Sequence, residues 1–117
     1  MRRVVVTGLG ALTPVGNNLH EYWEGLKNGV SGSELITRFN TEKFKTKFAC
    51  EVKNFVATDF IDRKLASRMD KFTQYAIVAS DEAIADAKLN LDVVDKLRVG
   101  SYGAPALEGS KPFRKKY

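Results

Sequence analysis

Three consecutive β-branched residues, Val4-Val5-Val6, run straight into a loop punctuated by Gly8, Gly10, Pro14 and Gly16. A short, uninterrupted β-branched run suits a strand covered on both faces. Glycines directly after it permit a tight strand-to-helix turn and a close approach of backbone to a neighbouring element. A nucleotide-binding fingerprint has different spacing. Gly8-Leu9-Gly10 would need a third glycine at position 13, which is Thr13, and Pro14 sits where a phosphate-binding helix should open. No GxxxxGK[ST] occurs either, so no nucleotide cofactor is expected.

Beyond this loop, Asn17 or Asn18 is suited to cap a helix, and Glu21 is correctly spaced if Asn18 is the cap. Leu19, Tyr22, Trp23 and Leu26 recur at helical spacing, and Gly29 fits the position just past the helix end. Residues 31–46 form a polar connection. Phe48, Cys50 and Val52 alternate with Lys47, Glu51 and Lys53, which predicts a strand or hairpin arm with one wet face. Asp59 or Asp62 is placed to open the longest helix, expected over residues 62–88. Met69, Phe72, Ala76, Ala79 and Ala83 would form its buried stripe, with alanines small enough for close packing. Leu91 to Leu97 reads as a short helical turn, and Arg98-Val99-Gly100 as the start of a strand. The order β-α-(β)-α-β predicts an α/β layer in which a parallel sheet is plausible.

Composition narrows the classes further. At 117 residues, 44% hydrophobic and 28% charged, the chain suits one ordered domain. No apolar run approaches the roughly 20 residues of a membrane helix, and the start lacks a signal-peptide core, so a cytoplasmic location with no membrane partner is expected. One cysteine and one histidine exclude an intramolecular disulfide and a Cys/His zinc site. The net charge of +5 is concentrated at the end: Lys111, Arg114, Lys115 and Lys116 lie among the last seven residues, without which 15 bases face 14 acids. Such a tail binds polyanions weakly and without sequence specificity, so no specific nucleic-acid partner is expected.

Two residues invite a catalytic reading and one cluster a binding reading. Cys50 sits in a strand pattern beside an acid, without the base or helix N-terminus that makes a thiolate, and is expected to be packed and inert. His20 lies off the apolar face of the first helix and lacks an acid–base partner. Arg63, Lys64, Arg68 and Lys71 mark the start of the long helix. Lys64, Arg68 and Lys71 share a face at i, i+4 and i+7, tempered by Asp59, Asp62 and Asp70. Two readings stand side by side, a mixed solvated surface and a docking patch that speeds and orients encounter with an acidic partner.

Taken together, Arg3-Val4-Val5-Val6-Thr7-Gly8-Leu9-Gly10-Ala11-Leu12-Thr13-Pro14-Val15-Gly16-Asn17 resembles the opening of the β-ketoacyl synthases of the 3-oxoacyl-[acyl-carrier-protein] synthase type. The resemblance continues through Trp23-Glu24-Gly25-Leu26-Lys27-Asn28-Gly29, Phe44-Lys45-Thr46-Lys47-Phe48-Ala49, Asp62-Arg63-Lys64, Met69-Asp70, Gln74-Tyr75-Ala76 and Arg98-Val99-Gly100. It implies part of a thiolase-like layer with an incomplete sheet. It also implies the chemistry of fatty-acid elongation, in which an acyl group passes from carrier protein to a cysteine and malonyl carrier protein is decarboxylated and condensed. The family's catalytic cysteine and both catalytic histidines belong to later sequence, so Cys50 and His20 inherit no role. The family's basic segment, matched here by Arg63, Lys64 and Arg68, implies docking of acyl carrier protein. Leu65 and Ser67 stand where related synthases usually carry an acidic and a basic residue. The likeness spans residues 1–100, and residues 101–117 depart from it as a loop and basic tail. Exposed strand edges predict self-association or pairing with a complementing ketosynthase segment.

Overall fold

The computed structural model describes residues 2–100. Its elements in chain order are helix α1 (Leu19–Lys27), strands β1 (Ser33–Leu35) and β2 (Phe48–Cys50), and helices α2 (Arg63–Ala66) and α3 (Lys71–Asp86). Short 3₁₀ turns cover Ala57–Asp59 and Lys96–Arg98.

Helix α1 is bounded as its sequence dictates. The Asn18 side chain accepts from the Glu21 amide at 2.8 Å, satisfying one of the free N–H groups of the first turn. Glu21 reaches back one residue beyond the cap, accepting from the Asn17 amide at 2.8 Å. At the other end Gly29 adopts φ +65, which an L side chain rarely tolerates. The Val30 amide then donates to the Gly25 carbonyl and the Gly29 amide to the Leu26 carbonyl, the paired bonds of a Schellman ending.

The sheet differs from the expected one. Among the described residues it has two strands, paired antiparallel with Ser33 opposite Cys50 and Leu35 opposite Phe48. The connection at 31–46 therefore contains a strand that its polar composition concealed. The inward residue of β2 is Ala49, while Phe48 (62% exposed) and Cys50 face solvent. The predicted strand is present with its wet face reversed, and Cys50 is an exposed thiol rather than a packed one. Val4-Val5-Val6 forms no strand: the three valines are 94%, 65% and 78% exposed, and no other described strand lies against them. A parallel strand is held by main-chain bonds to a neighbouring strand, and no such neighbour occurs among the described residues.

The helix expected over 62–88 is divided. Asp62 caps α2 through the Lys64 and Leu65 amides at 2.9 and 3.2 Å. The chain then leaves helical geometry before Asp70, whose extended backbone (ψ 153) restarts it as α3. The Gln74 side-chain amide bridges the break, donating to the Ala66 carbonyl at 2.8 Å. The predicted stripe is rotated: Val78 is buried, Ala79 and Ala83 are half-buried, and Phe72 is 55% exposed. Residues 91–94 form a hydrogen-bonded turn on the Asn90 carbonyl, as expected of the 91–97 segment. Arg98 closes a 3₁₀ turn, so the strand predicted to begin there is absent from the described residues. The basic tail lies outside them.

The glycine loop does what its composition predicts. A Cβ at Gly10 would overlap the Ala79 carbonyl, and one at Gly8 the Ala83 carbonyl, so the chain runs directly against the small-residue face of α3. The core is small. Ile61, Ala66 and Val78 are buried, with Leu12, Phe55, Ala57 and Ile77 packed on them.

Candidate functional site

Arg63, Lys64, Arg68 and Lys71 are all exposed. Arg63 and Lys64 open α2, Arg68 lies in the break, and Lys71 begins α3. They do not share one continuous helical face, because α2 ends at Ala66. What unites them is a folded-back run of chain held from beneath. Ile61 and Ala66 anchor it in the core, the Ser67 hydroxyl donates to the Lys64 carbonyl at 2.9 Å, and the Arg68 amide donates to the Leu65 carbonyl at 3.0 Å. Ser67 thus serves the turn that separates Lys64 from Arg68.

The charge balance here favours cations. The Asp62 carboxylate is turned onto the α2 amides, where it satisfies free N–H groups. Ion pairs among the described residues join Lys27 to Glu24, Arg38 to Glu51 and Lys53 to Glu34, and none uses the four basic residues. Leu65 (52% exposed) and Phe72 lie among them, so the surface is cationic with apolar interruptions. Such a surface suits an acidic protein partner, with charge steering encounter and apolar contact holding it.

The remaining singled-out residues stand apart. His20 is exposed on α1. Cys50 is exposed on β2, with neither a histidine nor a helix N-terminus in its hydrogen-bonded surroundings. No group of three or more potential metal ligands occurs among the described residues.

Sequence reasoning missed a polar recess of about 380 Å³ beside the hairpin, lined by Glu34, Thr37, Arg38, Glu51, Lys53 and Asn54. Glu51 accepts from the Thr37 hydroxyl at 2.9 Å and the Thr37 amide at 3.2 Å, and Arg38 stands 3.6 Å away. The Thr37 hydroxyl chiefly, with its amide and the Arg38 guanidinium, holds the Glu51 carboxyl below its ordinary value. Lys53 pairs with Glu34 across the hairpin. The only signal for this recess in the sequence is the presence of both charge signs on each side of residues 39–46, and without β1 there is no register to pair them.

Comparison with known proteins gives a consistent picture. The family described as "Beta-ketoacyl synthase, N-terminal domain" matches residues 1–114, which carries the likeness beyond Gly100. The 3-oxoacyl-[acyl-carrier-protein] synthase 2 of Staphylococcus aureus (strain COL) is 46% identical over 112 residues, covering 96% of this chain and 27% of that protein. The enzyme of the same name from Synechocystis sp. is 47% identical over 110 residues, covering 94% of this chain and 26% of that protein. Among solved structures, the ishigamide ketosynthase/chain length factor superposes with a TM-score of 0.71 at 42% identity, covering 78% of this chain and 23% of that one. The chain thus spans about a quarter of the length of the relatives it matches. The chain that lays a glycine loop against an alanine face, caps its first helix and carries a basic turn is matched over nearly its whole length, and it belongs to the β-ketoacyl synthase family, matching its N-terminal domain.

Proposed function

We propose that this chain serves fatty-acid elongation as the N-terminal segment of a 3-oxoacyl-[acyl-carrier-protein] synthase, and that it performs no condensation alone. The observation that carries this reading is 46% identity over 96% of the chain to an enzyme of that name, combined with the surroundings of the one thiol. Among the described residues Cys50 lies exposed on a two-stranded hairpin, opposite Ser33, and a nucleophilic thiol needs a base beside it and donors for an oxyanion. The fold completed by such a segment would be the thiolase-like layer, with Val4-Val5-Val6 as one of its strands.

Within this reading, Arg63, Lys64, Arg68 and Lys71 receive acyl carrier protein. Their exposure and freedom from the ion pairs of the described residues support the role. Titration of the chain with acyl carrier protein tests it. Binding should weaken with added salt and fall several-fold with Lys64→Glu or Arg68→Glu, since exposed ion pairs contribute about 0.2–1 kcal/mol each. Binding indifferent to both would remove the docking role.

A second reading, a fragment whose function is to complete a larger fold, is favoured by the three exposed valines. It predicts that co-expression with a complementing C-terminal ketosynthase chain restores solubility, and no rescue would contradict it.

A further inference from the structure

The segment from Gly8 to Ala11 lies on α3 without a backbone hydrogen bond to it. Instead, two α3 carboxylates reach it. Asp86 Oδ2 accepts from the Leu9 amide at 2.9 Å, and Glu82 Oε2 from the Ala11 amide at 2.8 Å. Leu9 and Ala11 are two residues apart, as amides on one side of an extended chain are, and Glu82 and Asp86 are four apart, as neighbours on one helix face are. Gly8 and Gly10, the residues preceding those amides, are the ones at which a Cβ would overlap the Ala83 and Ala79 carbonyls. Steric fit and hydrogen bonding therefore fix the same alignment. Glu82 does more: its second oxygen accepts from the Leu19 amide at 2.7 Å, at the first residue of α1. One carboxylate joins the N-terminal segment, α1 and α3.

We propose that Glu82 and Asp86 are positioning residues that clasp residues 8–11 along α3, and so set the line on which Val4-Val5-Val6 is offered to an incoming strand. The occupant is a strand of ketosynthase sequence of the kind that fills the remainder of the Staphylococcus aureus relative, 27% of which this chain covers. That assignment rests on the reading above, whereas the clasp itself does not. The three valines are exposed, β-branched and outside every backbone hydrogen bond of the described residues. A strand adds to such an edge through main-chain pairing, and apolar side chains cover its faces. Prior alignment removes part of the ordering entropy that pairing costs.

Residue-resolved amide hydrogen exchange on the full chain tests the clasp. Asp86 makes one bond here, which an asparagine oxygen can still accept. Asp86→Asn should therefore keep the Leu9 amide protected, while Asp86→Ala speeds its exchange by about tenfold or more. Glu82 makes two bonds from two oxygens, and glutamine has one oxygen. Glu82→Gln should expose one of Ala11 and Leu19, and Glu82→Ala both together, with α3 amides unchanged. If Glu82→Ala unfolds the chain, the exposed Asp86 pair still decides. Leu9 protection that ignores Asp86→Ala, or that falls equally in Asp86→Asn and Asp86→Ala, would overturn the clasp. Co-expression with the remainder of the Staphylococcus aureus synthase 2 tests the occupant. Co-purification that drops with Asp86→Ala and persists with Asp86→Asn is expected. Failure of the unsubstituted chain to co-purify would overturn the occupant and the reading it rests on, leaving the exchange result to judge the clasp.

Discussion

Glu51 shows how one side chain ties the hairpin to solution conditions. Its carboxyl is held below the ordinary value near 4.5, chiefly by the Thr37 hydroxyl and also by the Thr37 amide and Arg38. A lowered folded value means that the stabilisation is complete above the ordinary value and is lost as pH falls through the lowered one. Thr37→Val should move the Glu51 titration back up toward the ordinary range, followed by carboxyl chemical shifts. A titration unmoved by that change would show that Thr37 is not its main support. Cys50 offers a second check. As an exposed thiol on a hairpin it should react with a thiol reagent in the native state at nearly the rate of the denatured chain. Strong native protection would restore the packed reading.

At the level of elements, the tightest fit is between the glycine loop and α3. Gly10→Ala places a methyl group into the Ala79 carbonyl, and should lower stability by about 1–3 kcal/mol in denaturant unfolding. Asp62→Ala removes the cap of α2 and should cost about 1 kcal/mol, with the loss concentrated in the basic turn. These elements also show what was legible in the sequence. The α1 boundaries were, because Asn18, Glu21 and Gly29 act within a few residues of themselves. The close approach at Gly8 and Gly10 was, because only small residues allow it. The strands were legible only in part: the alternation at 48–52 marked β2, whereas β1 was concealed and the run at 4–6 forms no strand among the described residues. A strand exists through its partner, and Val4-Val5-Val6 has none among the described residues, whereas Leu35 has Phe48 to pair with despite a polar setting. The helix break was hidden because α2 and α3 share one apolar rhythm, and the interruption depends on Gln74 reaching back to Ala66. The basic residues of the candidate site were legible in type, but their helical face was not, for the same reason.

At the scale of the molecule, the three buried apolar residues among those described support a surface on which Val4, Val5, Val6, Trp23, Leu35 and Phe48 are exposed. Exposed apolar surface of this extent marks an interface or a liability to associate. The purified chain should therefore sediment with a concentration-dependent mass or melt at low temperature. A monodisperse monomer with a high melting temperature would contradict this. Family membership adds the functional half: a chain matching a synthase over a quarter of that protein's length carries a basic surface and an exposed thiol. Intact-mass measurement after incubation with acyl and malonyl carrier protein separates the possibilities most sharply, because there is a single cysteine to acylate. An unchanged mass and no condensation product are expected of a non-catalytic ketosynthase segment. An acyl adduct on Cys50 would show that this chain has chemistry of its own.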